Sequence, residues 1–182
     1  LHIALDLSAG SEAGAGKHTT LEYAVKIAAS IARFACEQGM PIRLVASGDT
    51  PIDIPANSGE QHFSAILKKL AVVKANAQES YANLLTRISA DIEPGENVVA
   101  FWSETPNQTD QTLDAIATLR HEGAHLLVVL FDRTSFMGLR GHPADPRVPA
   151  ASAEDRAAGL QDIGVKVLAV RRGDDLQTAL NS

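Results

Sequence analysis

The chain has 182 residues, of which 45% are hydrophobic and 21% are charged, a composition typical of one folded domain with its own core. Its formal net charge of −6 argues against a surface for nucleic acid or anionic lipid, because both need an excess of Lys and Arg. A single cysteine, Cys36, excludes an internal disulfide and a cysteine zinc cluster, and no apolar run approaches the about 18 residues of a membrane span.

The first half of the chain alternates short apolar runs with amphipathic stretches. The predicted elements are, in order, strand 1–7, helix 18–39, strand 41–47, strand 51–55, helix 61–73 and helix 80–92. The first helix is indicated by apolar residues at steps of three and four, with Thr19 or Thr20 as its N-cap. The short strand that contains two prolines is expected to be antiparallel to its neighbour and at the edge of the sheet.

The second half continues the alternation around one long loop. The predicted elements are strand 97–103, helix 111–123, strand 124–132, loop 133–150, helix 152–164, strand 165–172 and a short final helix, DDLQTALN. The loop carries three Pro and two Gly. Ser152 and Asp155 form a capping-box pattern at the start of the helix that follows it.

This order of elements predicts an α/β fold: a three-layer, doubly wound, mostly parallel sheet with one antiparallel edge strand. Ligands of such folds gather beyond the carboxyl ends of the strands. Here that end would be built from residues 6–17, 47–50, 103–107 and 132–134. We expect a single domain over residues 1–182. Because the chain starts at Leu1 inside a strand pattern, we also expect it to be a fragment of a longer protein.

The loop after the first strand, DLSAGSEAGAGKHTT, contains a Gly-rich stretch that invites comparison with a phosphate-binding loop. A Walker loop has the pattern Gly, four residues, Gly-Lys and then Ser or Thr, and its Lys reaches the terminal phosphates. Counting from Gly16-Lys17, Ser11 stands at the first Gly position and His18 at the hydroxyl position. A flexible connector is the favoured interpretation. A nucleotide-binding or hydrolysing enzyme that uses residues 10–19 is the alternative.

The start of the same loop supplies oxygen ligands of the kind that Mg²⁺ prefers. Mg²⁺ takes six oxygens in an octahedron, with few direct carboxylates. The pattern Asp-x-Ser-x-Ser at the end of a first strand is the centre of the metal-ion-dependent adhesion site of von Willebrand factor A domains. This chain has Asp6 and Ser8, then Gly10 at the third position, with Ser11 one residue late.

The wider chain resembles the proteins grouped as domain of unknown function 58. The resemblance is carried by LEYAVKIAASIARFACEQGMPIRLVASG (21–48) and FSAILKKLAVV (63–73), and it extends from Leu1 to about Asp132. Members of that family carry a von Willebrand factor A-like domain and are often encoded beside MoxR-type AAA+ ATPases. The resemblance therefore implies a bacterial, non-enzymatic interaction domain. Its protein partner would be such an ATPase system, and its parent protein would be membrane-anchored with this domain in the cytoplasm.

The family layout also implies where the remaining metal ligands would lie. Ser80 falls where a Thr ligand is expected before a helix, and Glu104 replaces the usual Asp in VVAFWSETP. The implied set is Asp6, Ser8, Ser80 and Glu104, around Mg²⁺ or Mn²⁺. Because the set departs from the pattern at Gly10, Ser80 and Glu104, a site without metal is the alternative, in which Asp6 and Ser8 only bind loop amides.

A partner surface is predicted from the same end of the sheet. Long loops in compact domains are often functional, and the 133–150 loop contains apolar and basic residues that would be exposed. Trp102 sits at the end of a strand beside the implied metal site, where it is either a core residue or a rim aromatic. The predicted partner surface comprises Ser11, Trp102, Phe136, Met137 and Arg140.

Overall fold

The computed structural model describes residues 1–48, 50–105, 107–138 and 151–175, and its elements follow the predicted order closely. The strands are β1 His2–Leu5, β2 Gly14–Ala15, β3 His18–Thr19, β4 Ile42–Ala46, β5 Ile52–Asn57, β6 Asn97–Trp102, β7 His125–Phe131 and β8 Lys166–Val170. The helices are α1 Thr20–Glu37, α2 Glu60–Leu70, α3 Tyr81–Asp91, α4 Thr109–His121, α5 Arg133–Met137 and α6 Ala153–Asp162. Most of the predicted final helix lies outside the described residues.

Six strands form one sheet in the order β5-β4-β1-β6-β7-β8. All neighbours are parallel except β5, which runs antiparallel to β4 at the edge. The predicted fold class is therefore confirmed, including the antiparallel edge strand that the prolines indicated. The chain leaves β1 to one side for β4 and β5, and crosses to the other side for β6, β7 and β8, so the topological switch point lies between β1 and β6.

The sheet is covered by helices on both faces, which is why its central strands are apolar throughout. One buried cluster packs side chains of α1, α2 and α5 against the sheet, and the other packs α3, α4 and α6 against the opposite face. Strands β1 and β6 contribute alternate residues to the two clusters: Ile3 and Leu5 face the first, and Ala4 faces the second. This three-layer packing fixes the carboxyl ends of β1 and β6 side by side.

The predicted helix caps form as the sequence suggested. The Thr19 hydroxyl accepts a hydrogen bond from the backbone N–H of Glu22 at 3.1 Å, which caps α1. At α6, Ser152 accepts from the backbone N–H of Asp155 at 3.1 Å and donates to its carboxylate at 2.8 Å. These caps fix where each helix begins, close to the carboxyl end of the sheet.

Two short elements were not predicted. Residues 14–19 form a β-hairpin, in which Gly14 pairs with Thr19 and Ala15 with His18, where a flexible connector was expected. Its turn has Gly16 at φ 61°, which suits the first central position of a type II′ turn. Residues 133–137, predicted as loop, form the short helix α5, whereas the rest of that loop from residue 139 to 150 lies outside the described residues.

Candidate functional site

The switch point places the ends of β1 and β6 next to each other, and Asp6 is the residue that joins them. Its backbone N–H donates to the carbonyl of Phe101 at 3.2 Å, and its carboxylate accepts the backbone N–H of Ser103. We use the name switch-point cluster for the polar residues gathered here: Asp6, Ser8, Ser103, Glu104, Arg133 and Arg156. Sequence analysis placed all of these except Arg156 at one end of the sheet and proposed Asp6, Ser8 and Glu104 as ligands, and the structure brings them together there.

Asp6 and Ser8 form a tight local turn. The Ser8 backbone N–H and hydroxyl both donate to Asp6 Oδ1, at 3.1 and 2.6 Å. Burial raises the pKa of Asp6 to about 6, although the hydrogen bonds from Ser8 and Ser103 and the charge of Arg133 act in the opposite direction. One oxygen of the carboxylate, Oδ1, is therefore held by its own loop.

Arg133, the first residue of α5, is the central cation of the switch-point cluster. It is 7% exposed, and its Nη1 donates to the carbonyls of Gly10 and Ser11 at 2.9 and 2.8 Å and to Ser103 Oγ at 3.3 Å. Burial lowers the pKa of Arg133, and the nearby carboxylates of Asp6 and Glu104 act against that shift. One guanidinium thus ties the loops after β1 and β6 to the end of β7.

Glu104 is paired to a second arginine. Arg156, on α6, donates from Nε to Glu104 Oε2 at 3.2 Å and from Nη2 to Oε1 at 2.9 Å, a two-pronged geometry that suits a guanidinium and a carboxylate. The Thr109 hydroxyl donates to Oε1 at 2.9 Å. The side chains of Glu104 and Arg156 are 6% and 17% exposed, so this pair is largely removed from water.

Ser80 lies beside the cluster but acts as a helix cap. Its hydroxyl accepts from the backbone N–H of Asn83 at 3.2 Å at the start of α3. The segment before it runs along the β1 loop, because Ala77 exchanges backbone hydrogen bonds with Leu7 and Ala9 at 2.9 and 2.8 Å. The segment that leads to Ser80 therefore passes beside the β1 loop.

The predicted ligand set does not fit a magnesium ion in this arrangement. Mg²⁺ needs about six oxygens in a near-ideal octahedron. Ser8 donates its hydrogen to Asp6 and keeps its oxygen lone pairs, but Ser80 accepts a helix N–H, and both oxygens of Glu104 are held by Arg156. The buried guanidinium of Arg133 adds positive charge between the two carboxylates. A divalent ion would have to break these bonds and lie close to Arg133.

The Gly-rich stretch does not form a phosphate cradle in the structure. A cradle needs free backbone N–H groups that converge at a helix N-terminus. Here residues 14–19 pair with each other as a hairpin, and Thr19 and Thr20 hold the start of α1 through their side chains. Lys17 lies exposed in the hairpin turn. The alternative of a nucleotide site gains no support from this geometry.

The predicted partner surface needs correction. Ser11, Trp102 and Phe136 are 2%, 1% and 1% exposed, so their side chains lie inside the protein and not on its surface. Trp102 packs against α3 and α4 because both faces of β6 are covered, and Phe136 packs edge-on against Tyr23. Met137 is half-buried.

The fifth predicted surface residue, Arg140, lies outside the described residues.

Two spaces differ sharply at this end of the molecule. The cavity beside the carboxylate of Asp6 has a volume of only about 10 Å³, bounded by Ser11 and Ser103 among others. An open groove of about 420 Å³, which we call the hairpin groove, lies between the β2–β3 hairpin and α5. Its lining includes Ala15, Arg133, Met137 and Arg172. The switch-point cluster is therefore closed to a ligand, and the accessible concave surface is the hairpin groove next to it.

Sequence reasoning missed the two arginines that dominate the cluster. Arg133 directly follows Asp132, which ends a buried strand, so the sequence predicts its position at the carboxyl end of the sheet. Its contacts with Gly10 and Ser11 span more than 120 residues and carry no local signal. Arg156 lies on an amphipathic helix, where a basic residue ordinarily indicates a solvated face.

Comparison with known proteins places the chain in a group without an established activity. Residues 1–99 match a family described as protein of unknown function DUF58. No curated protein matches the chain.

Two solved structures have a similar fold. Conserved hypothetical protein BatB from Bacteroides thetaiotaomicron is 13% identical, with 98% of this chain and 93% of that chain covered and a TM-score of 0.65. An aerotolerance-related membrane protein from Bacteroides fragilis NCTC 9343, crystallised with multiple mutations to serines, is 14% identical, with 99% and 94% covered and a TM-score of 0.61. At these identities the likeness concerns the fold alone. Among the described ranges of this chain, every helix falls short of the length and apolarity that a membrane crossing requires.

Proposed function

The chain belongs to the DUF58 family, and from that premise we propose that it is a non-enzymatic protein–protein interaction domain that works with a MoxR-type AAA+ ATPase system. The domain is von Willebrand factor A-like, with an incomplete adhesion loop at Asp6 and Ser8. It belongs to a membrane-anchored parent protein and acts in the cytoplasm. One solved protein of similar fold is named an aerotolerance-related membrane protein, and that name is compatible with such an arrangement.

The observation that carries the proposal is the closed switch point. In an α/β enzyme this position ordinarily holds a substrate or cofactor in a cleft of several hundred Å³. Here the space beside Asp6 is about 10 Å³, about enough for a single water molecule. The charged side chains at the switch point already have partners within the protein: Arg156 binds Glu104, and Arg133 binds backbone carbonyls. A molecule that recognises this end of the sheet would therefore bind across its outer surface, as a protein does.

The hairpin groove is the surface we assign to the partner. The hairpin projects from the loop after β1, and Ala15, Gly16 and Lys17 are all exposed. On the other side of the groove, half-buried Met137 offers an apolar contact and Arg172 a positive charge. The lining therefore combines apolar and charged side chains, as surfaces that bind proteins do.

A matched pair of variants tests the assignment against a purified MoxR-type AAA+ ATPase. Ala15→Arg puts a long charged side chain on the hairpin, and Ala56→Arg makes the same change in β5, near the opposite end of the sheet. Both alanines are exposed, so both variants should fold normally. We expect A15R to weaken binding at least about tenfold in a calorimetric titration, and A56R to leave it unchanged.

Two results would count against the proposal. If wild-type protein shows no binding to the ATPase, or A56R weakens binding as much as A15R, the groove is not the docking surface. Saturable ATP binding that is lost in Lys17→Ala would instead favour the enzymatic alternative, since Lys17 is the residue a phosphate loop would use.

A further inference from the structure

We propose that the guanidinium of Arg133 is the resident cation of the switch point: it holds the 6–11 loop in place, and this end of the protein binds neither Mg²⁺ nor Mn²⁺. The inference is independent of the proposed function, because it concerns what organises the loop and not which partner recognises it. It rests on three observations: the acceptors around Nη1, the balance of charges, and the contacts of the loop that Arg133 holds.

The first observation is the convergence of oxygens on one nitrogen. Nη1 of Arg133 has three acceptors within 3.3 Å, the carbonyls of Gly10 and Ser11 and the hydroxyl of Ser103. A guanidinium Nη carries two hydrogens, so one of them is shared between acceptors. Oxygens that turn inward from two separate loops onto a single centre are stabilised by positive charge at that centre. Arg133 supplies that charge from the protein itself.

The second observation is that the charges of the cluster already balance. Asp6 and Glu104 are both close enough to Arg133 to attract it electrostatically, and Glu104 is also paired to Arg156. Two carboxylates therefore face two guanidinium groups. A divalent cation would bring two further positive charges next to Arg133, and would compete with Arg156 for the oxygens of Glu104. Buried groups of like charge repel strongly at short range because little water separates them.

The third observation concerns the loop that Arg133 holds. Gly10 has φ 89°, and an added Cβ there would meet nothing within 4 Å, so no close packing with other atoms sets its position. Within the loop, the backbone N–H of Ser11 donates to the Ser8 carbonyl at 3.0 Å, and the Ser11 hydroxyl lies 3.3 Å from the Asp6 carbonyl. The carbonyls of Gly10 and Ser11 are the groups that Arg133 binds. Removing the guanidinium should loosen this loop before it unfolds the sheet.

The experiment measures metal binding and loop order separately. First, Mg²⁺ and Mn²⁺ are titrated to millimolar concentration into the wild-type protein, with heat and melting temperature as readouts. We expect no saturable heat and no shift in melting temperature. Saturable binding of one ion that disappears in Asp6→Ala would overturn the proposal, because it would show that the carboxylate is available to a metal.

Second, amide hydrogen exchange is compared between wild type, Arg133→Met and a control, Arg120→Met. Arg120 is exposed on α4, so its replacement removes the same charge without touching the loop. We expect Ser11 and Ala13 amides to exchange at least about tenfold faster in R133M, with smaller changes in β6 and none in R120M. Unchanged exchange at these amides in R133M would overturn the proposal.

A milder variant covers the case in which R133M does not fold. Arg133→Lys keeps the charge, but its side chain is one atom shorter, so the ammonium does not reach the position of Nη1 between the two loops. We expect R133K to fold, to keep wild-type exchange in α4, and to show faster exchange at Ser11. If R133K gives wild-type exchange at Ser11, any compact cation suffices and the specific role of the guanidinium is refuted.

Discussion

Replacing Arg156 by Met tests how strongly the Glu104–Arg156 pair stabilises the carboxyl end of the sheet. The Glu104 side chain is 6% exposed and receives two hydrogen bonds from Arg156, at 3.2 and 2.9 Å. Breaking a buried ion pair by removing one partner costs about 3–5 kcal/mol, because the other charge stays buried. Thr109 still donates to Glu104, and Arg133 still attracts it. We therefore expect R156M to lower the free energy of unfolding by about 2–3 kcal/mol, somewhat below that range.

The assay is thermal unfolding of matched variants. For a protein of this size, 1 kcal/mol shifts Tm by about 2–4 °C, so R156M should melt about 4–12 °C below wild type. Arg171→Met is the control, because Arg171 is 53% exposed and pairs with exposed Glu154 and, at 3.5 Å, with Asp132. Pairs of an exposed arginine contribute about 0–1 kcal/mol each, so R171M should lower Tm by less than R156M does.

A double-mutant cycle with Glu104→Gln isolates the pair itself. If Glu104 and Arg156 form this buried pair, the coupling energy between the two positions should be about 1–3 kcal/mol. A loss in R156M no larger than in R171M, or a coupling energy near zero, would show that Glu104 is adequately solvated without Arg156.

Three further outcomes follow from contacts at the same end of the molecule. Burial raises the pKa of Asp6 to about 6, so between about pH 4 and 6 the folded state keeps a proton that the unfolded state releases. The free energy of unfolding should therefore fall by at most about 3 kcal/mol as the pH rises through that range. In Asp6→Asn this fall should be absent from denaturant titrations at a series of pH values. If the unfolding free energies of wild type and D6N depend on pH in the same way, the assignment is wrong. Gly14→Ala should disrupt the hairpin, because a Cβ at φ 103° would lie 2.2 Å from the His18 carbonyl oxygen, and proteolysis near residue 16 should accelerate relative to Gly159→Ala. Tyr81→Phe removes a buried 2.9 Å hydrogen bond to the Ala4 carbonyl and should cost about 1–3 kcal/mol by chemical denaturation, whereas Tyr23→Phe, whose hydroxyl only accepts from Gly173, should cost less.

The fold was predictable because its signals are local and repeated. Apolar strands alternating with amphipathic helices have few compact solutions, and the prolines of β5 identified the antiparallel edge. The hairpin at 14–19 escaped prediction because two-residue strands have no periodicity to detect. Trp102 was placed on a partner surface because it stands at a strand end, but a strand covered on both faces buries its last residues too.

The site was only half predictable, for a different reason. Asp6 and Ser8 are two residues apart in the sequence and mark the end of a strand, so their position at the switch point could be inferred. What those groups do depends on Arg133 and Arg156, which reach them only after the sheet is assembled. A ligand pattern shows where oxygens gather and leaves open which cation holds them.

The contacts of Arg133 also set an order of events in folding. Its hydrogen bonds to Gly10 and Ser11 join residues 123 and 122 positions apart, so their formation requires closure of most of the chain. A nascent chain that has reached only residue 99, the end of the family match, contains Asp6 and Ser8 but neither Glu104 nor Arg133. Until β7 and α5 have emerged during synthesis, the 6–11 loop therefore has only its contacts within the first 99 residues, such as the bonds of Leu7 and Ala9 to Ala77. The Ser11 amide should accordingly gain full protection in the last phase of refolding, after the amides of β1 and β4.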